Sequence, residues 1–150
     1  MEHIVIQSSM DSIRQVEAYI SNICDEYHVG NYFATISVAV LNAVSNAIIH
    51  GNKLDINKKV RLSCGHSHGG MFFEVEDQGD GFDYDCYGDF PMEGKGEGLF
   101  LMKSLADNVE FLNNGSLVRL EFQIDGISAT DSLERRSVMD KFYAAKSVLA

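Results

Sequence analysis

The sequence predicts an α/β fold of the α+β two-layer sandwich type, in which a mixed or antiparallel sheet is covered on one face by helices. Three observations predict it. Apolar residues recur at steps of three and four over two stretches between Met10 and His50, the period of an amphipathic helix. After Gly51-Asn52 the period falls to two, as in strands with one buried face. Tight glycine turns, Gly69-Gly70 and Asn113-Asn114-Gly115, then join neighbouring strands, which pairs them antiparallel. One sheet under one layer of helices is the economical way to bury both kinds of apolar face.

Each element follows in order. Residues 3–8 read as a first strand. From about Met10 to Tyr27, the residues Ile13, Val16, Ile20, Ile23 and Tyr27 form one apolar helix stripe, with Ser9 or Asp11 as the cap. A second helix runs from about Tyr32 to His50 and stops at Gly51-Asn52. Val60, Leu62 and Cys64 alternate with Arg61 and Ser63, and Met71, Phe73 and Val75 alternate with Phe72, Glu74 and Glu76, giving two strands. Residues 78–98 are glycine-rich and hold the only proline, Pro91. A loop of that length is too long for a simple connection and suits a functional lid. A short helix, Leu99 to Ala106, leads to a strand with Val109 and Phe111. The last strand carries Val118, Leu120, Phe122 and Ile124. These elements make one domain, residues 1–125. Residues 126–150 form a C-terminal helical extension, opened by the capping-box-like Asp131-Ser132-Leu133-Glu134.

Composition narrows the function. The chain has 150 residues, 45% of them hydrophobic, enough for a single domain with a core. Its net charge of -10 argues against a nucleic-acid surface, which needs a basic patch. The same charge is compatible with a basic protein partner or with simple solubility. No apolar run comes near the roughly 18–20 residues of a membrane span, and Met1 to Ile6 do not read as a signal peptide. The expected location is cytoplasmic, away from membranes. The three cysteines, Cys24, Cys64 and Cys86, make no Cys-x-x-Cys pair and are odd in number, as in a reducing compartment. Cys24 and Cys64 fall on core stripes. His66-Ser67-His68 reads as hairpin surface rather than a metal pair.

Three segments carry chemistry. In Asn42-Ala43-Val44-Ser45-Asn46-Ala47-Ile48-Ile49-His50-Gly51, the residues Asn42, Asn46 and His50 share one helix face. Amide oxygens there suit a hard cation such as magnesium, although a solvated face has the same pattern. In Asp77-Gln78-Gly79-Asp80-Gly81-Phe82, the residue Asp77 continues the Met71-Phe73-Val75 alternation and therefore points inward. A buried carboxylate needs a donor partner, and an exocyclic amine such as that of adenine would supply one. Gly79 and Gly81 admit close approach of a flat ligand. In Gly94-Lys95-Gly96-Glu97-Gly98-Leu99, glycines run into a helix start, which suits phosphates.

Taken together, the three segments resemble the Bergerat-fold, histidine-kinase-like ATPases. They look most like the anti-sigma-factor serine/threonine kinases, in Asn-Ala-x-x-His-Gly, in Asp-x-Gly-x-Gly-Phe, and in Gly-Leu-Phe-Leu-Met-x-x-Leu-Ala-Asp. The resemblance covers roughly residues 1–124. No histidine-bearing helix pair precedes the motifs, which points away from a full histidine kinase. The resemblance implies ATP and Mg2+ as cofactors. Asn46 would be the magnesium ligand, and Asp77 would bind the adenine amine with Gly79 and Gly81 shaping the pocket. Gly94, Lys95, Gly96, Gly98 and Leu99 would lie at the phosphates, residues 83–97 would form the lid, and Ser116 would bring a hydroxyl near adenine. The implied partners are an anti-anti-sigma protein, phosphorylated on serine, and a sigma factor. Dimers are common in the family, so a homodimer is among the implied states.

Two positions depart from the family. Asn42 stands where a glutamate is usual, and an amide cannot act as general base; losing such a base costs about 100- to 10,000-fold in rate. Glu97 stands where many relatives carry arginine, and Lys95 is near enough in sequence to replace that charge. Three readings stay open: an active serine kinase with altered machinery, a module that regulates a protein partner by binding, and a degenerate scaffold.

Overall fold

The computed structural model describes residues 2–67, 69–80 and 97–124, and only the backbone of Ser67, Glu97 and Gly98. The expected C-terminal helix, the expected lid up to residue 96, and the candidate residues Gly81, Gly94, Lys95 and Gly96 lie outside the described residues.

Strand β1 spans Glu2–Gln7. A 3-10 turn, Met10–Ser12, follows under a cap in which Ser9 Oγ accepts the Asp11 N–H at 3.2 Å. Helix α1 is Ile13–Glu26 and helix α2 is Phe33–Asn46. A π-helical turn, Ala47–Gly51, continues α2. Strands β2, Lys59–Ser67, and β3, Gly70–Glu76, form the hairpin that the glycine pair predicts. Helix α3 covers Glu97–Leu105. Strands β4, Asn108–Leu112, and β5, Leu117–Gln123, close the domain.

The sheet runs in the order β1-β2-β3-β5-β4. Every neighbouring pair is antiparallel, so of the two expected arrangements the antiparallel one is found. The chain skips one place after β3, runs through α3 to the edge strand β4, and returns to fill the gap with β5. The turn before β5 places Asn113 and Asn114 at positive φ, 53° and 60°, backbone that asparagine tolerates better than most residues.

The helices cover one face. Val16, Ile20, Ile23 and Cys24 of α1 meet Val60, Leu62, Cys64, Met71, Phe73, Val75, Val118, Leu120 and Phe122 of the sheet in one core. The apolar period of α1 and the strand alternation are both met. Burial pushes the Cys24 thiol up to about 11 and the Cys64 thiol up to about 12, so neither is a reactive thiolate at neutral pH. The opposite sheet face is polar. There Arg119 pairs with Glu74 and with Glu121, each at 2.9 Å, and its guanidinium lies 3.8 Å from the centre of the Phe72 ring.

One expectation is corrected. The continuous helix Gly30–Gly51 has 22 residues and a mean hydropathy of 1.6 in its most apolar window, enough by length and composition to cross a membrane. Its apolarity has a packing use: Ile36, Ala39, Val40, Ala43, Val44, Ala47 and Ile48 are all buried between the sheet and the flanking helices.

Candidate functional site

A cleft opens where α2, α3 and the ends of β3, β4 and β5 converge. Ala43, Asn46 and Ala47 line it from the helix; Val75, Asp77 and Val118 form its floor; Met102, Phe111 and Gly115 complete it. The alanines at one-turn spacing keep the helix side shallow, and Met102 brings apolar surface from α3. An apolar slot with a few convergent polar groups is the usual form of a small-molecule site.

Asp77 is the charged group among the described residues that line this cleft. It is 7% exposed, as its place in the β3 alternation predicts. Its N–H donates to the Ser116 carbonyl at 2.9 Å. Its Oδ1 accepts the Gly79 N–H at 2.8 Å. Burial raises its pKa above the ordinary carboxylate value, Glu76 adds to the rise, and the Gly79 N–H and Lys58 work against it. A carboxylate held in this way is a strong acceptor for a ligand N–H, because low local polarity strengthens any hydrogen bond it completes.

Gly51 and Gly79 explain how Asp77 is seated. A Cβ at Gly51 would strike the Asp77 carboxylate, and a Cβ at Gly79 would strike the Gly51 carbonyl. The π turn and the β3 end therefore touch backbone to backbone. The requirement at both positions is steric, since neither is among the positive-φ glycines.

Asn46 is half-buried and lines the same cleft, and its side chain makes no hydrogen bond among the described residues. Its amide oxygen is thus available to a cation or a polar ligand. Asn42, one turn earlier, is differently placed: its Nδ2 donates to the Val38 carbonyl of its own helix at 2.7 Å. His50 is exposed on the π turn. Ser116 reaches Asp77 through its backbone, while its hydroxyl donates to the Asn113 carbonyl at 2.9 Å. Leu99 is buried in the core at the start of α3. The structure thus brings Asn46, Asp77, Gly79 and the Ser116 backbone together.

Sequence reasoning missed Asn52, which is 1% exposed. Both protons of its amide are used, one on Ser8 Oγ at 2.7 Å and one on the Lys59 carbonyl at 3.0 Å. Its oxygen accepts the Gln78 N–H at 2.8 Å. Ser8 Oγ donates to the Lys58 carbonyl at 2.7 Å, and Gln78 Oε1 accepts the Lys59 N–H at 2.6 Å. In sequence, Asn52 looked like a helix stop, and nothing in its periodicity marked it as buried. Among the described residues no cluster of three or more His, Cys, Asp or Glu could hold a metal.

Comparison with known proteins agrees with this fold. The crystal structure of the RsbU and RsbW domains of Rv1364c from Mycobacterium tuberculosis is similar in fold, with a TM-score of 0.54 and 17% identity over 81% of this chain. This chain spans 31% of that one. Comparison with curated proteins found no match. The model of the histidine kinase-like ATPase domain matches residues 6–122, from β1 to the end of β5. The chain belongs to the histidine kinase-like ATPase domain family.

Proposed function

We propose that the chain is an ATP-binding regulatory module of the anti-sigma-factor kinase type, which controls a protein partner by binding it. The observation that carries the nucleotide reading is the seating of Asp77. A desolvated carboxylate with one oxygen on the Gly79 N–H lies in a shallow apolar cleft beside Asn46. That arrangement suits a flat base with an exocyclic amine, the amine donating to Asp77 and the ring lying against Met102 and the α2 alanines. ATP would supply a transferable phosphoryl group and magnesium would offset its charge. The residues fit the pair in part: the amide of Asn46 has no partner among the described residues and can offer its oxygen to the metal.

Asn42 supports regulation by binding over rapid phosphoryl transfer. Its amide has no basic lone pair to take a proton, and it is tied to the Val38 carbonyl. Since phosphoryl transfer rests mainly on positioning and charge stabilisation, slow phosphorylation of a serine on an anti-anti-sigma partner remains within the chemistry of the site. A sigma factor is the alternative partner, and the proposed setting is cytoplasmic. The similarity in fold to a structure that includes an RsbW domain supports this regulatory reading.

Calorimetric titration with ATP and a non-hydrolysable analogue, with and without magnesium, tests the reading. Magnesium-dependent binding is expected. Absence of binding at millimolar nucleotide would refute the nucleotide site and leave a module acting through protein contacts alone.

A further inference from the structure

We propose that Asn52 is a positioning residue of this site: its buried amide clamps the end of β1 and the start of β2 to Gln78, and so fixes where the Asp77 carboxylate points. The consequence for ligand binding rests on the nucleotide reading above; the clamp itself rests on geometry alone.

Four chain segments meet at Asn52. The residue leaves the π turn with its own N–H on the Ala47 carbonyl at 2.8 Å. Its Nδ2 then reaches Ser8 just past β1 and Lys59 at the head of β2. Its Oδ1 holds the N–H of Gln78, the residue next to Asp77. The Gln78 side chain returns to the Lys59 N–H. Gln78 is therefore held at its backbone by Asn52 and at its side chain by β2. Asp77 sits between that anchor and the Ser116 carbonyl, with the Gly51 backbone against its carboxylate. With the peptides on both sides of Asp77 tied down, its carboxylate has little freedom to swing.

Asn52 spends one end on the peptide that carries Asp77 and the other on segments remote from the cleft. Neither aspartate nor alanine could replace Asn52 without loss, because an aspartate would put a second acceptor against the Lys59 carbonyl, and an alanine would leave the Gln78 N–H without its acceptor.

The test compares Asn52→Ala with Val16→Ala, a core variant in α1 away from the clamp, in the full chain, at a temperature where circular dichroism shows both folded. Two readouts are used: calorimetric ATP affinity, and hydrogen exchange at the Gly79 amide without nucleotide. Asn52→Ala is expected to weaken ATP binding and to speed Gly79 exchange by about tenfold or more. Val16→Ala opens a cavity on the α1 side of the core, away from the clamp, so it lowers the melting temperature while both readouts stay within about twofold of the parent. The proposal is overturned if Asn52→Ala leaves Gly79 protection and ATP affinity intact. It is equally overturned if the two variants change both readouts alike, since a general loss of stability would then explain everything. Should Asn52→Ala not fold, Asn52→Ser replaces it, its hydroxyl being too short to reach all three partners. If the parent protein binds no ATP, the nucleotide reading fails by itself, and the Gly79 exchange comparison still decides the clamp.

Discussion

The Asp77 carboxylate occupies the space that a side chain on Gly51 would need. Two motifs distant in sequence are thereby locked together, one from the end of the α2 helix and one from the end of β3. Gly51→Ala must push the carboxylate aside or part the helix from the strand. Overpacking of this kind costs about 1–3 kcal/mol, so denaturant titration should show a loss in that range together with weaker ATP binding. Parent-like stability and affinity would show that the two groups are not in contact in solution.

Asp77→Asn keeps the shape of the side chain and an acceptor for the Gly79 N–H, but removes the charge. Hydrogen bonds to a charged partner are worth about 1.5–3 kcal/mol against about 1 for neutral ones. Calorimetry should therefore find ATP affinity reduced by about tenfold or more. Unchanged affinity would remove Asp77 from the base site.

The same carboxylate predicts how stability depends on pH. Burial raises the folded-state pKa of Asp77, whereas in the unfolded chain it titrates at about 4. Below about pH 4 both states hold the proton, and the carboxyl is neutral in the core. As pH rises through the folded pKa, the folded state must carry a desolvated charge, and Asp77 becomes destabilising. Asp77→Asn should accordingly be more stable than the parent at neutral pH, with the gain shrinking as pH falls through the raised pKa and vanishing below about 4. Denaturation curves of both proteins across this range measure it, and a difference independent of pH would rule out desolvation as the cause.

Asn42→Glu restores a carboxylate one turn before Asn46. If the missing base is what limits chemistry, ATP hydrolysis or transfer to a serine acceptor should rise, by as much as about 100- to 10,000-fold. Binding of ATP should change little. No rise with ATP still bound would mean that the site lacks more than the base.

Much of this architecture was legible in the sequence because its signals are local and periodic. The stripe from Ile13 to Ile23 places α1, the alternation from Met71 to Val75 places β3, and extending that alternation by two residues buries Asp77. The place of β5 between β3 and β4 was not legible, since strand order depends on a crossover rather than on any short motif. Asn52 was hidden for a related reason. Its three partners lie 44, 26 and 7 residues away, and a polar residue after a helix looks the same in sequence whether it faces water or a buried network.

The π turn at Ala47–Gly51 bears on how this site can change over time. In an unbroken α-helix each residue advances the direction of its side chain by about 100°. A wider turn acts as a local phase shift, much like one added residue. Asn42 and Asn46 take their bearing from the helix before the turn, and Gly51 and Asn52 from the end of the turn itself. The two halves of the cleft are therefore timed against each other by chain length rather than by residue identity. A substitution at Ile49, which is exposed, leaves that timing alone, whereas deleting it would swing Gly51 and Asn52 off the β3 end while every motif letter survived.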